Sequence, residues 1–574
     1  MSQHMRSCLS AIQRVFSPTA ASAAVDGAAP DDGRLAIWLF FRGLGLSFLF
    51  AFLSLWPQVL GLVGARGVLP VTPFLRAIAK HVGWERYVLL PSFFWLGSSD
   101  NALHLVCGLG LVFSLLLVLG LAESVALIGA WLCYLSFVGI GRDFMGFQWD
   151  SLLLETALWS LPLALQAPRW RLQLHPVVRA GRWLLFWLLL RFLFAAGWAK
   201  LASGDPVWRD LSALDYHFFT QPLPTLAGYF AHQLPSGIKK LFTLVMLGIE
   251  LVVPFAIFWP KARRWAALLL IALQIAIQLT GNFGFFNILA AVLAVPLLPD
   301  TWLRKVLPRV LLLRLQDRDA THIPAQADSQ ASPDSQSPSD SQSSPDSRTS
   351  PDSQLSSPPG PSAGAPGPLA SESKPRVREL LRVSRAGAAV RGVWFLALMS
   401  LSSIQVLRMF VDEEKVPSWA LRALDYSSLI HAVNRYGLFA VMTKERPEIV
   451  LEGSIDGVHW VPYEFKYKPV LLDQRPRINA PHQPRLDWQM WFAALRPYRR
   501  GGWFDGLCIR LLQGSSDVLW LFAQDPFYGR KPKQVRATLY RYEFTTLSER
   551  TQSGAYYKRS DPQPYMDPVS LPSP

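Results

Sequence analysis

The chain has little of what soluble catalytic domains are built from. Of its 574 residues only 17% are charged and four are cysteine. Cys8, Cys107, Cys133 and Cys508 lie far apart without C-x-x-C spacing, which leaves a zinc site, a thioredoxin-type motif and a disulfide framework unsupported. No Ser/His/Asp ordering, metal-ligand spacing or glycine-rich phosphate loop is evident, so neither a metal nor another cofactor is expected. Residues 1–34 carry Arg6 and Arg14 but no apolar core before a small-residue cleavage site, because Ala20–Ala29 is too polar and too short. The first apolar helix, rather than a cleavable signal peptide, then serves as the targeting signal.

What the chain has is hydrophobicity: 51% apolar residues and a mean hydropathy of +0.22, the composition of a membrane protein. The net charge of +15 reads as basic loops flanking membrane helices, and no nucleic-acid partner is expected. A span needs about 20 apolar residues, and candidates fall at 35–56, 101–121, 124–140, 151–168, 183–201, 240–259, 264–281, 283–299 and 392–410. Lys and Arg accumulate on the cytoplasmic side of short loops. With these nine spans and a cytoplasmic N-terminus, Arg169, Arg171, Arg179 and Arg182 fall in cytoplasmic loops. So do Lys261, Arg263, Arg264, Arg304, Lys305, Arg309, Arg376, Arg378, Arg382 and Arg385, while the chain beyond 411 faces a lumen or periplasm. Arg66, Arg76, Lys80 and Arg86, in the 57–100 loop, run against that pattern.

The chain divides accordingly. A cytoplasmic segment (1–34) precedes a polytopic membrane domain of about eight helices (35–299). A basic, cytoplasmic linker (300–391) follows, in which 320–373 repeats S-P-D-S-Q-like units too polar to bury a core. After the last span (392–410) comes an extracytoplasmic, mostly-β domain (411–551), then a tail (552–574) expected to be disordered. In the mostly-β domain, 449–455 and 458–465 read as strands joined at Asp456-Gly457, and 534–545 alternates as a third. Helices are expected at 487–495 and 503–512. The fold class is thus a multi-pass α-helical membrane domain plus a β-sandwich-like domain with helical insertions.

Ionisable residues inside apolar runs are costly and mark function. Arg191 and Lys200 lie in W-L-L-F-W-L-L-L-R-F-L-F-A-A-G-W-A-K (183–200), with Asp150, Glu155 and Glu250 as possible partners; the sequence does not say which acid meets which base. Gln274, Gln278 and Asn282 recur every four residues, with Asn287 after a break at Gly281 and Gly284. They read either as interhelical hydrogen bonding or as a cavity lining. Lys200 is open to two readings: a dry lysine acting as a base, or a snorkelling anchor beside Asp205 and Trp208. In the C-terminal domain His482, Arg485, Asp487, Trp488 and Trp491 form a polar-aromatic patch suited to protein recognition.

Six strings carry a resemblance. They are R-D-F-M-G-F-Q-W-D-S-L-L-L-E (142–155), G-D-P-V-W-R-D-L-S-A-L-D-Y-H-F-F-T-Q-P-L-P (204–224), L-T-G-N-F-G-F-F-N (279–287), N-R-Y-G-L-F-A-V-M-T (434–443), R-P-E-I-V-L-E-G-S-I-D-G-V-H-W-V-P-Y-E-F-K-Y-K-P (446–469) and A-P-H-Q-P-R-L-D-W-Q-M-W-F-A-A-L (480–495). The chain resembles the lipase maturation factors. That resemblance implies a multi-pass membrane protein, of the endoplasmic reticulum in eukaryotes, whose extracytoplasmic domain helps lipases reach an active, assembled form. The partners it implies are the lipid bilayer and secreted or exported lipase clients. In a bacterium the corresponding location is the inner membrane. The serine-proline-aspartate linker departs from the family pattern. A shorter string, A-G-W-A-K-L (196–201) followed by Trp208, is similar to the segment of vitamin K-dependent carboxylases that carries a lysine base, at Lys200 here. A chaperone-like factor and a membrane enzyme using Lys200 are therefore both carried forward.

Overall fold

The computed structural model describes residues 33–165, 179–312 and 374–572. The N-terminal segment to residue 32, Arg169, Arg171 and the linker repeats lie outside the described residues, as do the side chains of Arg179, Arg376, Arg378, Arg382 and Arg385.

Leu-, Ala- and Phe-rich runs favour helix, and a helix satisfies its own backbone where no water is available. The bundle comprises α1 (Arg34–Leu55), α2 (Asp100–Leu119), α3 (Glu123–Gly141), α4 (Gln148–Ala164), α5 (Arg179–Ala202), α6 (Ser236–Leu251), α7 (Pro260–Thr280), α8 (Phe286–Ala294) and α9 (Lys374–Leu407). Among the described residues seven segments are long and apolar enough to cross a membrane, within α1, α2, α3, α5, α6 with its extension to Phe258, α7 and α9. The expected spans 151–168 and 283–299 are shorter: α4 has 17 residues, and Phe286–Leu297 bends by 120° into Asp300–Val306. Both nevertheless run the depth of the bundle. α4 begins where Asp150 meets Arg485 of the C-terminal region and ends with Leu163 against Gly181 at the start of α5. The chain descends from Asn282, which donates to the Arg477 carbonyl, to Asp300, whose carboxylate accepts from Leu35 and Ala36 N–H at 3.0 Å each. That carboxylate satisfies orphan donors in the first turn of α1.

These contacts define two ends. Loops around 66, 144, 220 and 282 meet the C-terminal region through Ser515, Arg485, Trp491 and the Arg477 carbonyl. At the far end Arg182 donates to the Pro296 carbonyl at 2.8 Å, Arg263 lies over Trp183 and Arg264 over Trp302.

The C-terminal region contains β1 (Arg446–Ser454), β2 (Val461–Pro462), α10 (Arg485–Ala494), α11 (Trp503–Leu512), β3 (Gln534–Phe544) and β4 (Tyr557–Val569). The strands form one antiparallel sheet in the order β2-β1-β3-β4, with Leu451 opposite Ala537. α10 packs on β1 and α11 on β3, which buries Ile449, Leu451, Val535 and Ala537 with Trp488, Leu507 and Leu511. The C-terminal region is thus a small antiparallel sheet plus helices rather than mostly β, and helices rather than a second sheet cover it, so the described residues do not form a sandwich.

Two expectations need correcting. The strand expected over 458–465 shrinks to two residues, because Tyr463 and Phe465 turn into the core. The Asp456-Gly457 turn itself is present, with Gly457 at φ +80° and Asp456 accepting from Val458 and His459 N–H. The tail expected to be disordered over 552–574 instead supplies β4. It lacks two-residue alternation and holds Pro562, Pro564 and Pro568, features that an edge strand tolerates, and its register against β3 shifts three times.

Candidate functional site

A charge buried in a bundle must find a partner. Arg191, on α5, is paired with Glu155 of α4. The other Glu155 oxygen accepts from Tyr436 Oη at 2.6 Å and Asn434 Nδ2 at 2.9 Å. Lys200 Nζ lies 2.7 Å from Glu250 of α6, and also donates to the Ala196 carbonyl. Asp150 leaves Arg191 and Lys200 to the two glutamates and takes Arg485 in a two-pronged pair at 2.8 and 3.0 Å. Tyr134 donates to the same carboxylate at 2.5 Å, and Arg485 donates to the Phe144 carbonyl at 2.7 Å.

This changes the reading of the C-terminal patch. Arg485, Asp487, Trp488 and Trp491 are buried, so they are not a client surface. Arg485, Trp488 and Trp491 form the seam between the bundle and the C-terminal region, and Asp487 is enclosed within the latter. Trp488 packs on Trp149 with ring centroids 4.7 Å apart, and Trp491 Nε1 donates to the Thr220 carbonyl at 2.8 Å. Asp487 accepts from Tyr467 and Lys468 N–H. His482 is likewise committed, with Nδ1 3.0 Å from Ser54 Oγ. Their polar-aromatic composition suits an interface; what the sequence hid is that the interface is internal.

Asn282 lies beyond the end of α7 rather than on the face of Gln274 and Gln278. It joins the seam through the Leu223 and Arg477 carbonyls and the Asn479 N–H. Asn287 Nδ2 donates to the Gln274 backbone carbonyl, and both amide atoms of Gln278 are buried without a partner among the described residues. Sequence reading missed Tyr134, Asn434, Tyr436 and a further buried trio in which Glu448 lies 2.6 Å from Arg446 and 2.8 Å from Lys468. Arg446 also donates to the Phe219, Gln221 and Pro222 carbonyls. Asp205 accepts from Met442 N–H at 2.8 Å, and Trp208 Nε1 donates to the Phe439 and Ala440 carbonyls. All of them except Tyr134 lie in the six unusual strings, which was the available signal.

Beneath the seam is a cavity of about 450 Å³. Lys200, Glu250, His217, Gln274 and Asn287, with Gln148 and Thr280, supply its polar lining, and Trp208 and Phe439 border it. Lys200 Nζ sits 5.6 Å from the Trp208 ring centroid. Among the described residues no group of three or more His, Cys, Asp and Glu side chains gathers as metal ligands would.

Comparisons with known proteins match this architecture in two parts. The family description "Lipase maturation factor transmembrane domain" matches residues 35–305, and "Lipase maturation factor C-terminal domain" matches residues 432–567. Human lipase maturation factor 2 is 35% identical over 597 residues, covering 94% of this chain and 83% of the relative. Lipase maturation factor 2 of Gallus gallus is 35% identical over 93% of this chain and 81% of its own length. Lipase maturation factor 1 of Bos taurus is 30% identical over 93% and 88%. No solved structure matches the chain.

Two predictions follow from the seam. Asp150→Asn or Arg485→Leu alone leaves a buried charge uncompensated and is expected to cost about 3–5 kcal/mol. The double variant should cost clearly less than the sum of the two, measured from denaturation midpoints in detergent; additive losses would show that the pair does not interact. The second concerns pH. Burial, aided by Lys200, Lys239 and Lys466 with Arg485 respectively, lowers His217, His232 and His482 to about 4 from 6.5, with Asp215 opposing at His232. The unfolded chain thus takes up those protons first, so their stabilising share is complete above pH 6.5 and is lost as pH falls towards 4. Asp487 acts oppositely: burial raises it to about 6 from 3.8, so the native state gains relative stability across that interval as pH falls. His431, like the other imidazoles, is lowered by burial, and with four imidazoles set against Asp487 the melting midpoint should drop on acidification from about pH 6.5 to about pH 4.5. A midpoint that rises would show these imidazoles to be charged in the native protein.

Proposed function

The chain belongs to the lipase maturation factor family, and from that premise we propose that it is a membrane-anchored factor that helps exported lipases fold and assemble. The C-terminal region faces away from the cytoplasm and binds the client. The observation that carries this reading is the placement of that region, which is seated on one end of the bundle. The opposite end presents Arg182, Arg263, Arg264, Arg304 and Lys305, the charge bias of a cytoplasmic face. On this reading the protein resides in the endoplasmic reticulum membrane of a eukaryote or the inner membrane of a bacterium.

Because the seam holds Arg485 and its neighbours inside, the client meets other residues. Trp520, 63% exposed with Lys466 over its ring, and Tyr528, 89% exposed, stand on the outer surface. Large aromatics on a rigid support are typical anchors of recognition. A thiol introduced at Tyr528 should react with a membrane-impermeant maleimide only from the lumenal or periplasmic side of sealed membranes, and a photoreactive amino acid at Trp520 should trap a lipase in transit. Modification of the Tyr528→Cys thiol from the cytosol would sink the orientation, and the client role with it.

A second reading, a membrane enzyme using Lys200 as a base on a lipid-soluble substrate, is favoured by the cavity that Lys200 lines. The Glu250 carboxylate beside it weighs towards a structural ion pair. Lys200→Arg keeps the cation and should support normal lipase maturation. Loss of maturation in a variant that still melts like the parent would favour the base.

A further inference from the structure

The cavity opens sideways. Phe242 and Val245 of α6 and Leu269 and Ala272 of α7 line it, and all four are exposed on the flank of the bundle. α6 with its extension to Phe258 and α7 are each long and apolar enough to cross a membrane. In a bilayer that flank faces hydrocarbon, and the opening between them admits molecules from the bilayer rather than from water. Its volume lies within the about 300–1,000 Å³ of small-molecule sites. The inner end is polar but balanced, because the Lys200 ammonium already holds the Glu250 carboxylate at 2.7 Å. His217, half-buried and lowered by burial to about 4, adds no charge. Gln274, 6% exposed, lines the same space, and no side-chain hydrogen bond engages it among the described residues.

We propose that this cavity binds a single-chain lipid with an uncharged, hydrogen-bonding head, of the monoacylglycerol or fatty-alcohol class, which enters laterally between α6 and α7. The acyl chain lies along Phe242, Val245 and Leu269, and the head meets the Gln274 amide. An uncharged head fits the balance of the inner end: a carboxylate there would set two anions beside one ammonium. A second like charge in a dry site is disfavoured. A two-chain phospholipid would bring a charged phosphate to the same place and a second chain that the space does not hold. The site does not depend on Lys200 acting as a base or on which lipase is the client.

The test uses the full-length protein in lipid nanodiscs with a monoacylglycerol carrying a diazirine in its chain. Irradiation should place the label on peptides from α6 and α7. Excess unlabelled monooleoylglycerol should remove it, whereas oleate at the same concentration should not. Ala272→Trp, which fills the opening from the exposed side, should lower labelling by about tenfold. Ala196→Phe, which fills the cavity from α5, repeats the test should the first variant fold poorly. Label spread evenly over all lipid-facing helices, equal displacement by oleate, or undiminished labelling in well-folded Ala272→Trp would each overturn the proposal.

Discussion

The contact on which the architecture depends is the pairing of Arg485 with Asp150. Both are fully buried, and they come from sequence positions 335 residues apart. Neither charge is tolerable where it lies without the other. The two prongs of the guanidinium, together with the Tyr134 hydroxyl, fix the angle at which α10 meets α4. Packing would follow from many arrangements of apolar surface; a planar, two-pronged ion pair permits few. Stability alone does not account for it, since a well-packed apolar substitute is often as good. What it adds is a defined register between the bundle and the C-terminal region.

The six strings that set this chain apart all meet at that seam. Asp150 and Glu155 come from the first, Asp205, Trp208 and the Thr220 carbonyl from the second, Asn282 from the third. Asn434, Tyr436 and Met442 come from the fourth, Arg446, Glu448 and Lys468 from the fifth, and Gln483, Arg485 and Trp491 from the sixth. Five of the six contribute a buried ion or a polar group that holds one, and the third contributes Asn282, which satisfies backbone groups on both sides of the seam. Hydrocarbon-facing positions accept many apolar residues, but a buried ion-pair network accepts few alternatives, which gives these strings their unusual composition.

The same physics explains what could be read in advance. Long apolar runs announce helices because backbone satisfaction leaves no other choice in a membrane, and α1, α2, α5 and α7 lie where hydropathy placed them. The cost of a buried cation marked Arg191 and Lys200 as needing partners, and Glu155 and Glu250 were among the candidates. The assignment itself required distances, since nothing in spacing distinguishes Glu155 from Asp150 as the partner of Arg191. The patch around Arg485 was misassigned because composition identifies an interface without saying whether the other side is a second protein or the same chain. β4 was invisible for a related reason. An edge strand rich in proline and charge draws its structure from β3, not from its own pattern.

The ion pairs also lie at different positions around the bundle. Arg191–Glu155 ties α5 to α4 and, through Asn434 and Tyr436, to the segment leading into β1. Lys200–Glu250 ties α5 to α6, and Asp150–Arg485 ties α4 to α10. Lys200–Glu250 lies within the bundle, so the third attachment of the C-terminal region is Arg446 of β1, which donates to the Phe219, Gln221 and Pro222 carbonyls. Several separate attachments fix a body against tilt as well as translation, which a single hinge-like contact would not. The apolar helices provide only depth in the bilayer; these charges, lodged where water cannot compete for them, turn that depth into a fixed orientation of the C-terminal region. A surface held at one height and one angle samples few wrong approaches, so the ordering cost of an encounter is met in advance by the fold. That is the physical case for keeping costly ions in a domain whose helices would pack without them.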